Sequence, residues 1–177
     1  PVFITFLPFS SARNKGPAVI YLFDWGNTLM KDDPGEKGPM HLWSKVELCP
    51  NAGPMLEALS RCHDLYLATN AEDSDEADIR KALNRAGIGI FIKGIFCFRS
   101  LGVKKPSPEF FTAVVRELGC SPADLTMVGD DPEKDVLWAL QNGARAVLYD
   151  PAGRHRHGGF ARIGDLMELC PDGGAAI

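Results

Sequence analysis

The sequence Ala18-Val19-Ile20-Tyr21-Leu22-Phe23-Asp24-Trp25-Gly26-Asn27-Thr28-Leu29 decides the fold. Its first six residues are mostly apolar and run straight into Asp24, and such a run is typical of a strand buried on both faces. Gly26 and Asn27 are turn residues that end this strand. Because open α/β sheets bind ligands at the carboxyl ends of their strands, Asp24 is a candidate functional residue. This stretch alone leaves a turn-capping aspartate open as the alternative.

Predicted strands and helices alternate along the rest of the chain. The strands are predicted over residues 18–23, 63–69, 94–98, 125–128 and 144–149, and helices begin at Gly53-Pro54, Ser74, Ser107-Pro108 and Pro132, with a last short helix over 163–169. This alternation predicts a doubly wound, Rossmann-like α/β fold with a five-stranded parallel sheet. The helix opened by Pro132 is expected to bury Val136, Leu137 and Leu140.

Composition narrows the class of protein. A chain of 177 residues suggests one domain with its own core. The net charge of −4 offers no reason to expect a nucleic-acid partner. No apolar run approaches the roughly 20 residues of a membrane span. Five cysteines without a C-x-x-C spacing indicate reduced thiols and a cytoplasmic location.

Two segments are expected to lie outside the regular layers. Residues 1–17 have no basic region before their apolar run, so we expect a poorly ordered arm rather than a secretory signal. Residues 18–177 are expected to form a single α/β domain. Within it, residues 30–49 have a loop-like start followed by apolar side chains such as Met40 and Trp43. We expect this stretch to fold back as a flap.

Polar residues follow three of the predicted strands. Asp24 follows the first strand, Thr69-Asn70 the second and Gly129-Asp130-Asp131 the fourth, while Lys105 precedes a helix. Carboxylates from two strand ends can share one Mg²⁺ with phosphate oxygens, and a lysine and a hydroxyl can hold the remaining oxygens. These ends converge only if strand one lies between strands two and four, which predicts the order 3-2-1-4-5. Taken singly, Thr69 and Lys105 also fit an ordinary strand-end hydroxyl and a solvated lysine.

In this order, the four segments resemble the motifs of the haloacid dehalogenase superfamily, best known for aspartate-based phosphatases. The stretch 24–28 matches the first motif, D-x-D-x-T, except at its second aspartate. Thr69, Lys105-Pro106-Ser107-Pro108 and Gly129-Asp130 with Asp135 match the other three. The resemblance implies a HAD-like hydrolase of the phosphatase type. The intervals between the motifs leave no room for a cap domain, so a capless member with an open site is expected.

The resemblance also implies a nucleophile and a metal site. Asp24 would form an aspartyl-phosphate, which is a form of covalent catalysis. Mg²⁺ would be held by Asp24, Asp130 and the backbone carbonyl of Gly26, with Asp135 as a further or water-mediated ligand. Asp131 fits better as the N-cap of the following helix, with metal ligation as its alternative.

Three further residues would hold the phosphoryl group by the same resemblance. These are Thr69, Asn70 and Lys105, because a hydroxyl, an amide and an ammonium can each donate to phosphate oxygens. The neighbouring Lys104 is assigned to solvent, since the Lys-Pro pairing belongs to Lys105. The expected partner is a phosphorylated small molecule or macromolecule, with a homo-oligomer as one means of closing the open site.

Gly26 is the departure from the resemblance. In the family, the aspartate at this position protonates the leaving group and then activates water, and such assistance is worth roughly 10²–10⁴ in rate. Glycine keeps the backbone carbonyl but cannot transfer a proton, so weakened hydrolysis of alkyl phosphates is expected. His41 in the predicted flap is the first candidate for a replacement acid. Gly26 also leaves a non-catalytic alternative, a phosphate-sensing or interaction module that keeps the metal site.

A receiver domain of two-component signalling also combines aspartates, a threonine and a lysine on five strands. Its acidic pair follows the first strand, whereas the pair Asp130-Asp131 follows the fourth strand here. The order of the motifs therefore favours the hydrolase.

Overall fold

The computed structural model describes residues 19–155 and 158–170, so the arm predicted over residues 1–17 lies outside the described residues. Within them, six strands form one sheet: β1 (Ile20–Phe23), β2 (Asp64–Thr69), β3 (Gly94–Cys97), β4 (Leu125–Gly129), β5 (Arg145–Tyr149) and β6 (Ala161–Ile163). The order is β3-β2-β1-β4-β5-β6, and every pairing is parallel. The predicted α/β class and the order 3-2-1-4-5 are confirmed. The sixth strand corrects the predicted count, because three residues are too few to show a period.

Helices connect the strands. The α-helices are α1 (Ala52–Ser60), α2 (Glu76–Arg85), α3 (Phe98–Leu101), α4 (Pro108–Leu118) and α5 (Trp138–Gln141). A π-helical segment covers Pro132–Leu137, and 3₁₀ turns cover Met40–Leu42, Gly89–Phe91, Pro122–Asp124 and Leu166–Leu169. The helix predicted over 163–169 is the last of these turns, preceded by β6. None of the described helices has the length and apolar character needed to cross a bilayer.

The sheet is buried on both faces, as its apolar strands require. Leu22 and Phe23 are adjacent in β1 and fully buried, but they belong to different apolar clusters because successive strand side chains point to opposite faces. Helices α1 and α2 pack with Phe23 on one face, and α4 and α5 pack with Leu22 on the other. This packing fixes β1 at the centre of the sheet.

The π-helical segment corrects one prediction of the helix face. Val136 is buried as expected, but Leu137 and Leu140 are about two-fifths exposed, and Trp138 is buried instead. The backbone N–H of Val136 donates to the carbonyl of Asp131, five residues earlier. This wider turn shifts all later side chains relative to the regular 3.6-residue period that the prediction assumed.

Candidate active site

The carboxyl ends of β1, β2 and β4 open into one cavity of about 430 Å³. Parallel pairing brings these ends together, and the backbone N–H of Asp24 donates to the carbonyl of Val128 in β4 at 2.9 Å. Every site residue predicted from the sequence lines this cavity: Asp24, Gly26, Thr69, Asn70, Lys105, Asp130, Asp131 and Asp135. The structure thus brings the predicted set together.

Lys105 is a buried cation that lines the cavity. Its Nζ lies 2.8 Å from Oδ1 of Asp24 and 2.6 Å from Oδ1 of Asp135, and its side chain is only 2% exposed. Burial alone would lower the pKa of Lys105, but the two carboxylates more than reverse this effect and raise the pKa above its ordinary value. Lys105 is therefore charged and paired, which excludes the solvated interpretation.

Asn70 holds the backbone that carries Lys105. Its Nδ2 donates to the carbonyl of Lys105 at 2.8 Å, and its Oδ1 accepts from the backbone N–H of Lys105 at 2.8 Å. This pair of hydrogen bonds ties the end of β2 to the loop before α4. Asn70 thus positions the lysine, in addition to facing the cavity.

Three carboxylates meet beside Lys105. Oxygens of Asp24, Asp130 and Asp135 all lie within 4.8 Å of one another. Burial and the charge of Asp135 raise the pKa of Asp130 to about 6. Burial raises the pKa of Asp135 to about 6, against the opposing pull of Lys105. The three aspartates carry more negative charge than the ammonium group of Lys105 can neutralise. Carboxylate oxygens this close together suit a hard divalent cation such as Mg²⁺.

Asp131 is an N-cap. Its Oδ1 accepts from the backbone N–H groups of Glu133 at 2.9 Å and Lys134 at 3.0 Å, and its other oxygen pairs with Lys134 Nζ at 2.9 Å. The N-cap interpretation is therefore confirmed. These contacts start the π-helical segment that carries Asp135 into the cluster.

Gly129 provides the space that Asp135 occupies. A Cβ atom at Gly129 would lie 2.1 Å from Oδ2 and 2.6 Å from Cβ of Asp135, which no side chain tolerates. We expect Gly129→Ala to lower the free energy of unfolding by about 1–3 kcal/mol, because Asp135 must move away from Lys105. Urea denaturation measures this change.

The matched control is Gly53→Ala in α1, where the new Cβ would meet only Leu48 Cδ1 at 3.6 Å. That variant should be neutral or stabilised, within about 1 kcal/mol, because alanine is the better helix former. Equal stability of Gly129→Ala and the wild type would contradict the close approach.

Hydroxyl groups face the cavity next to the acids. Thr69 is buried, and its Oγ1 accepts from the backbone N–H of Ala71 at 3.2 Å, so its own proton can be donated to a phosphate oxygen. The hydroxyl of Thr28 donates to Oδ2 of Asp24 at 3.5 Å. Buried Ser74 also lines the cavity, although its sequence position indicated a helix start. The N-cap of α2 is Asp75 instead, so the role of Ser74 was missed.

Asp32 fills the place next to Gly26. A Cβ atom at Gly26 would lie 2.6 Å from Oδ2 and 2.9 Å from Oδ1 of Asp32, and both residues line the cavity. Burial raises the pKa of Asp32. Nothing in the loop composition around Asp32 singles it out, so only the folded chain reveals it.

His41 faces Oδ1 of Asp78 in α2 at 3.7 Å and is not among the residues that line the cavity.

The predicted flap contributes part of the cavity wall. Its Asp32, Gly38, Met40 and Trp43 line the cavity opposite the strand ends. Arg85 of α2 donates to the carbonyls of His41 and Trp43, which anchors this part of the segment to the helix. Whether residues 30–49 open and close as a flap stays a prediction.

Comparison with known proteins identifies the family of the chain. A profile of haloacid dehalogenase-like hydrolases matches residues 36–143. The chain belongs to the haloacid dehalogenase-like hydrolase family. A phosphoserine phosphatase of Thermus thermophilus is 33% identical to this chain over 129 residues, which cover 71% of the chain and 51% of that enzyme. A phosphatidylglycerophosphate phosphatase of Arabidopsis thaliana is 28% identical over 124 residues, 66% of the chain and 34% of that protein. The chain therefore spans about half of the first relative and a third of the second.

A solved structure shows the same fold. The putative HAD-hydrolase YfnB of Bacillus subtilis, whose crystal structure is described as bound to magnesium, superposes on this chain with a TM-score of 0.70. The match covers 86% of this chain and 96% of YfnB at 16% identity, so it supports the fold alone.

Proposed function

We propose that this chain is a Mg²⁺-dependent phosphatase that acts through an aspartyl-phosphate on Asp24. One observation carries the proposal: the carboxylate of Asp24 lies at a central strand end, paired with buried Lys105 and within 4.8 Å of the oxygens of Asp130 and Asp135. The names of the Thermus and Arabidopsis relatives, both phosphatases, support the same chemistry. The wider substrate class is a phosphate monoester.

The residues at the site fit a bound Mg²⁺. Asp24, Asp130 and the carbonyl of Gly26 would hold the cation, with Asp135 as a further or water-mediated ligand. Bound there, Mg²⁺ supplies polarisation of the phosphoryl oxygens and neutralises part of the local negative charge. The oxygen donors of these residues are the ligands that Mg²⁺ prefers, and YfnB, which shares the fold, is described as bound to magnesium.

The other steps of the reaction depend on side chains of the protein. An oxygen of Asp24 attacks phosphorus. Burial raises the pKa of Asp24, and Lys105, held beside that oxygen at 2.8 Å, opposes this shift by favouring the carboxylate form. Lys105 also neutralises charge on the phosphoryl group. The Thr69 hydroxyl donates to another phosphoryl oxygen. Asn70 maintains the placement of Lys105 through its two backbone hydrogen bonds.

A screen of aryl, acyl and alkyl phosphates with and without Mg²⁺ tests the function. We expect release of phosphate that requires Mg²⁺ and is abolished by EDTA. Binding of inorganic phosphate and Mg²⁺ without turnover of any ester would favour the non-catalytic phosphate-sensing module.

Asp130→Asn tests the metal site separately from turnover. The wild-type melting temperature should rise with added Mg²⁺, because a ligand that binds only the folded state stabilises it. The variant should lose this shift, since the amide removes one of the anionic ligands. Thermal melts in a Mg²⁺ titration measure the shift, with Asp124→Asn, outside the cavity lining, as the control. An unchanged shift in Asp130→Asn would contradict the assignment.

A further inference from the structure

We propose that Asp32 is the proton-transferring residue of this site, in the place next to Gly26. The inference rests on the proposed phosphatase function and names the group that completes its reaction. Asp32 would protonate the leaving oxygen and then take a proton from water.

The chemistry requires such a group. When Asp24 attacks an alkyl phosphate, the bond to the leaving oxygen breaks with its electron pair, and an alkoxide is a poor leaving group unless it is protonated. Water that attacks the aspartyl-phosphate must likewise lose a proton. The described lining of the cavity contains no histidine, and its two lysines, Lys105 and Lys134, are held in ion pairs with aspartates, so a carboxylate is the group best suited to this role.

Among the lining carboxylates, the other acids have contacts of their own. Asp24 and Asp135 pair with Lys105, and an oxygen of Asp130 lies within 4.8 Å of theirs, where the metal would bind. Asp131 caps the π-helical segment and pairs with Lys134, and Asp73 accepts the hydroxyl of Ser74 on the loop after β2. Asp32 contacts neutral groups: Asn27 Nδ2 donates to its Oδ2 at 3.4 Å.

Asp32 is held in its place by the side chain of Asn27 and by the residues that precede it. Asn27, which has a left-handed φ of 54°, accepts the backbone N–H of Asp32 with its Oδ1 at 3.2 Å. Leu29 and Met30 are fully buried just before it, and the backbone N–H of Lys31 donates to the carbonyl of Glu47 at 2.9 Å. Asp32 is exposed to solvent and lines the cavity, so its carboxylate is accessible to a leaving group and to a water.

The space beside Gly26 is what joins Asp32 to the nucleophile. Gly26 lies two residues after Asp24 in the same cavity wall, and the Asp32 oxygens stand where a side chain at position 26 would begin. Because glycine has no side chain, position 26 leaves room for the carboxylate of Asp32. An aspartate at position 26 would have to displace it.

Both proton transfers balance. In the first half-reaction, an Asp24 oxygen bonds to phosphorus, the ester P–O bond breaks, and the leaving oxygen takes the proton of the Asp32 carboxylic acid to give the alcohol. In the second, Asp32 takes a proton from water as the water oxygen bonds to phosphorus. The P–O bond to Asp24 then breaks, its electron pair returns to the Asp24 carboxylate, and phosphate leaves.

The test compares two substrates in Asp32→Ala and Asp32→Asn. The nitrophenolate released from nitrophenyl phosphate is a stable anion and needs no acid in the first step, whereas the ethoxide of ethyl phosphate must be protonated as it leaves. We expect kcat/KM on ethyl phosphate to fall by roughly 10²–10⁴. The first burst of nitrophenol should persist, followed by slow turnover as the aspartyl-phosphate accumulates. Asp33→Asn, whose wild-type carboxylate caps the N–H of Gly35, is the matched control and should leave both rates unchanged.

The double variant Asp32→Ala/Gly26→Asp provides the rescue. Removing the Asp32 side chain clears the 2.6 Å approach, so the new carboxylate at position 26 should restore ethyl phosphate hydrolysis. If the Asp32 variants hydrolyse ethyl phosphate as fast as the wild type, the proposed role of Asp32 is wrong, but the phosphatase function stands. A loss of the burst together with turnover would also overturn the role of Asp32, by showing a structural effect. A wild type that turns over neither ester would overturn the phosphatase function and the Asp32 role together.

Discussion

Asp24→Asn is expected to lower kcat on nitrophenyl phosphate by a factor on the order of 10⁴ or more, the largest loss of activity that the site allows. The amide cannot form the acyl phosphate. It also loses the charge that faces Lys105 Nζ at 2.8 Å. Even the leaving group that needs no acid should therefore fail to leave.

Intact-mass analysis of acid-quenched enzyme checks the same variant for its intermediate. Wild-type protein mixed with nitrophenyl phosphate and Mg²⁺ should gain the mass of one phosphoryl group, with a larger share in Asp32→Ala, and Asp24→Asn should gain none. Asp33→Asn is again the control. Turnover by Asp24→Asn at the wild-type rate would exclude the covalent mechanism.

Lys105→Met is expected to lower the free energy of unfolding by about 3–5 kcal/mol, the largest loss of stability predicted here. The variant keeps the length and apolar stem of the side chain but leaves Asp24 and Asp135 without their common cation. Removing one partner of a buried ion pair is costly because the remaining charge stays desolvated. Urea denaturation in EDTA measures the change.

Lys104→Met is the matched control. Lys104 is the preceding residue, is partly exposed and pairs with Glu72, so its loss should cost only about 0–1 kcal/mol. Mg²⁺ should restore part of the stability of Lys105→Met, because a cation offsets the excess negative charge. If both lysine variants unfold alike, the carboxylates in the folded protein are not held by Lys105.

The sequence allowed the sheet order and most of the site to be predicted, because both follow from strand ends. Asp24, Thr69 and Asp130 each follow an apolar strand, and only one order brings such ends together. Lys105 could be placed from its motif, but its two ion pairs required the fold. The exposed Leu137 and Leu140 could not be predicted, because no residue pattern announced the wide turn at 132–137.

The residue that occupies the space beside Gly26 could not be predicted from the sequence either. Read along the chain, a glycine at this position predicted a missing acid and weak hydrolysis of alkyl phosphates. The side chain that occupies its space comes from Asp32, six residues later, through a tertiary contact that no spacing rule describes. If Asp32 transfers the protons, Gly26→Asp alone should bring no gain in rate, since one carboxylate would only replace another.

The π-helical segment sets the relative orientation of a cavity residue, Asp135, and a core residue, Trp138. Asp135 faces Lys105, while Trp138 packs edge-on against Phe110 and Phe111 and donates to the carbonyl of Ser107 at 3.0 Å. Deleting one residue between 131 and 135 would restore a regular α-helix but turn everything beyond the cut by about 100°. Either the carboxylate or the indole would then face the wrong way. A natural or engineered variant shortened here would lose either the arrangement of the active site or the packing of the core. This stretch should therefore tolerate substitution far better than deletion.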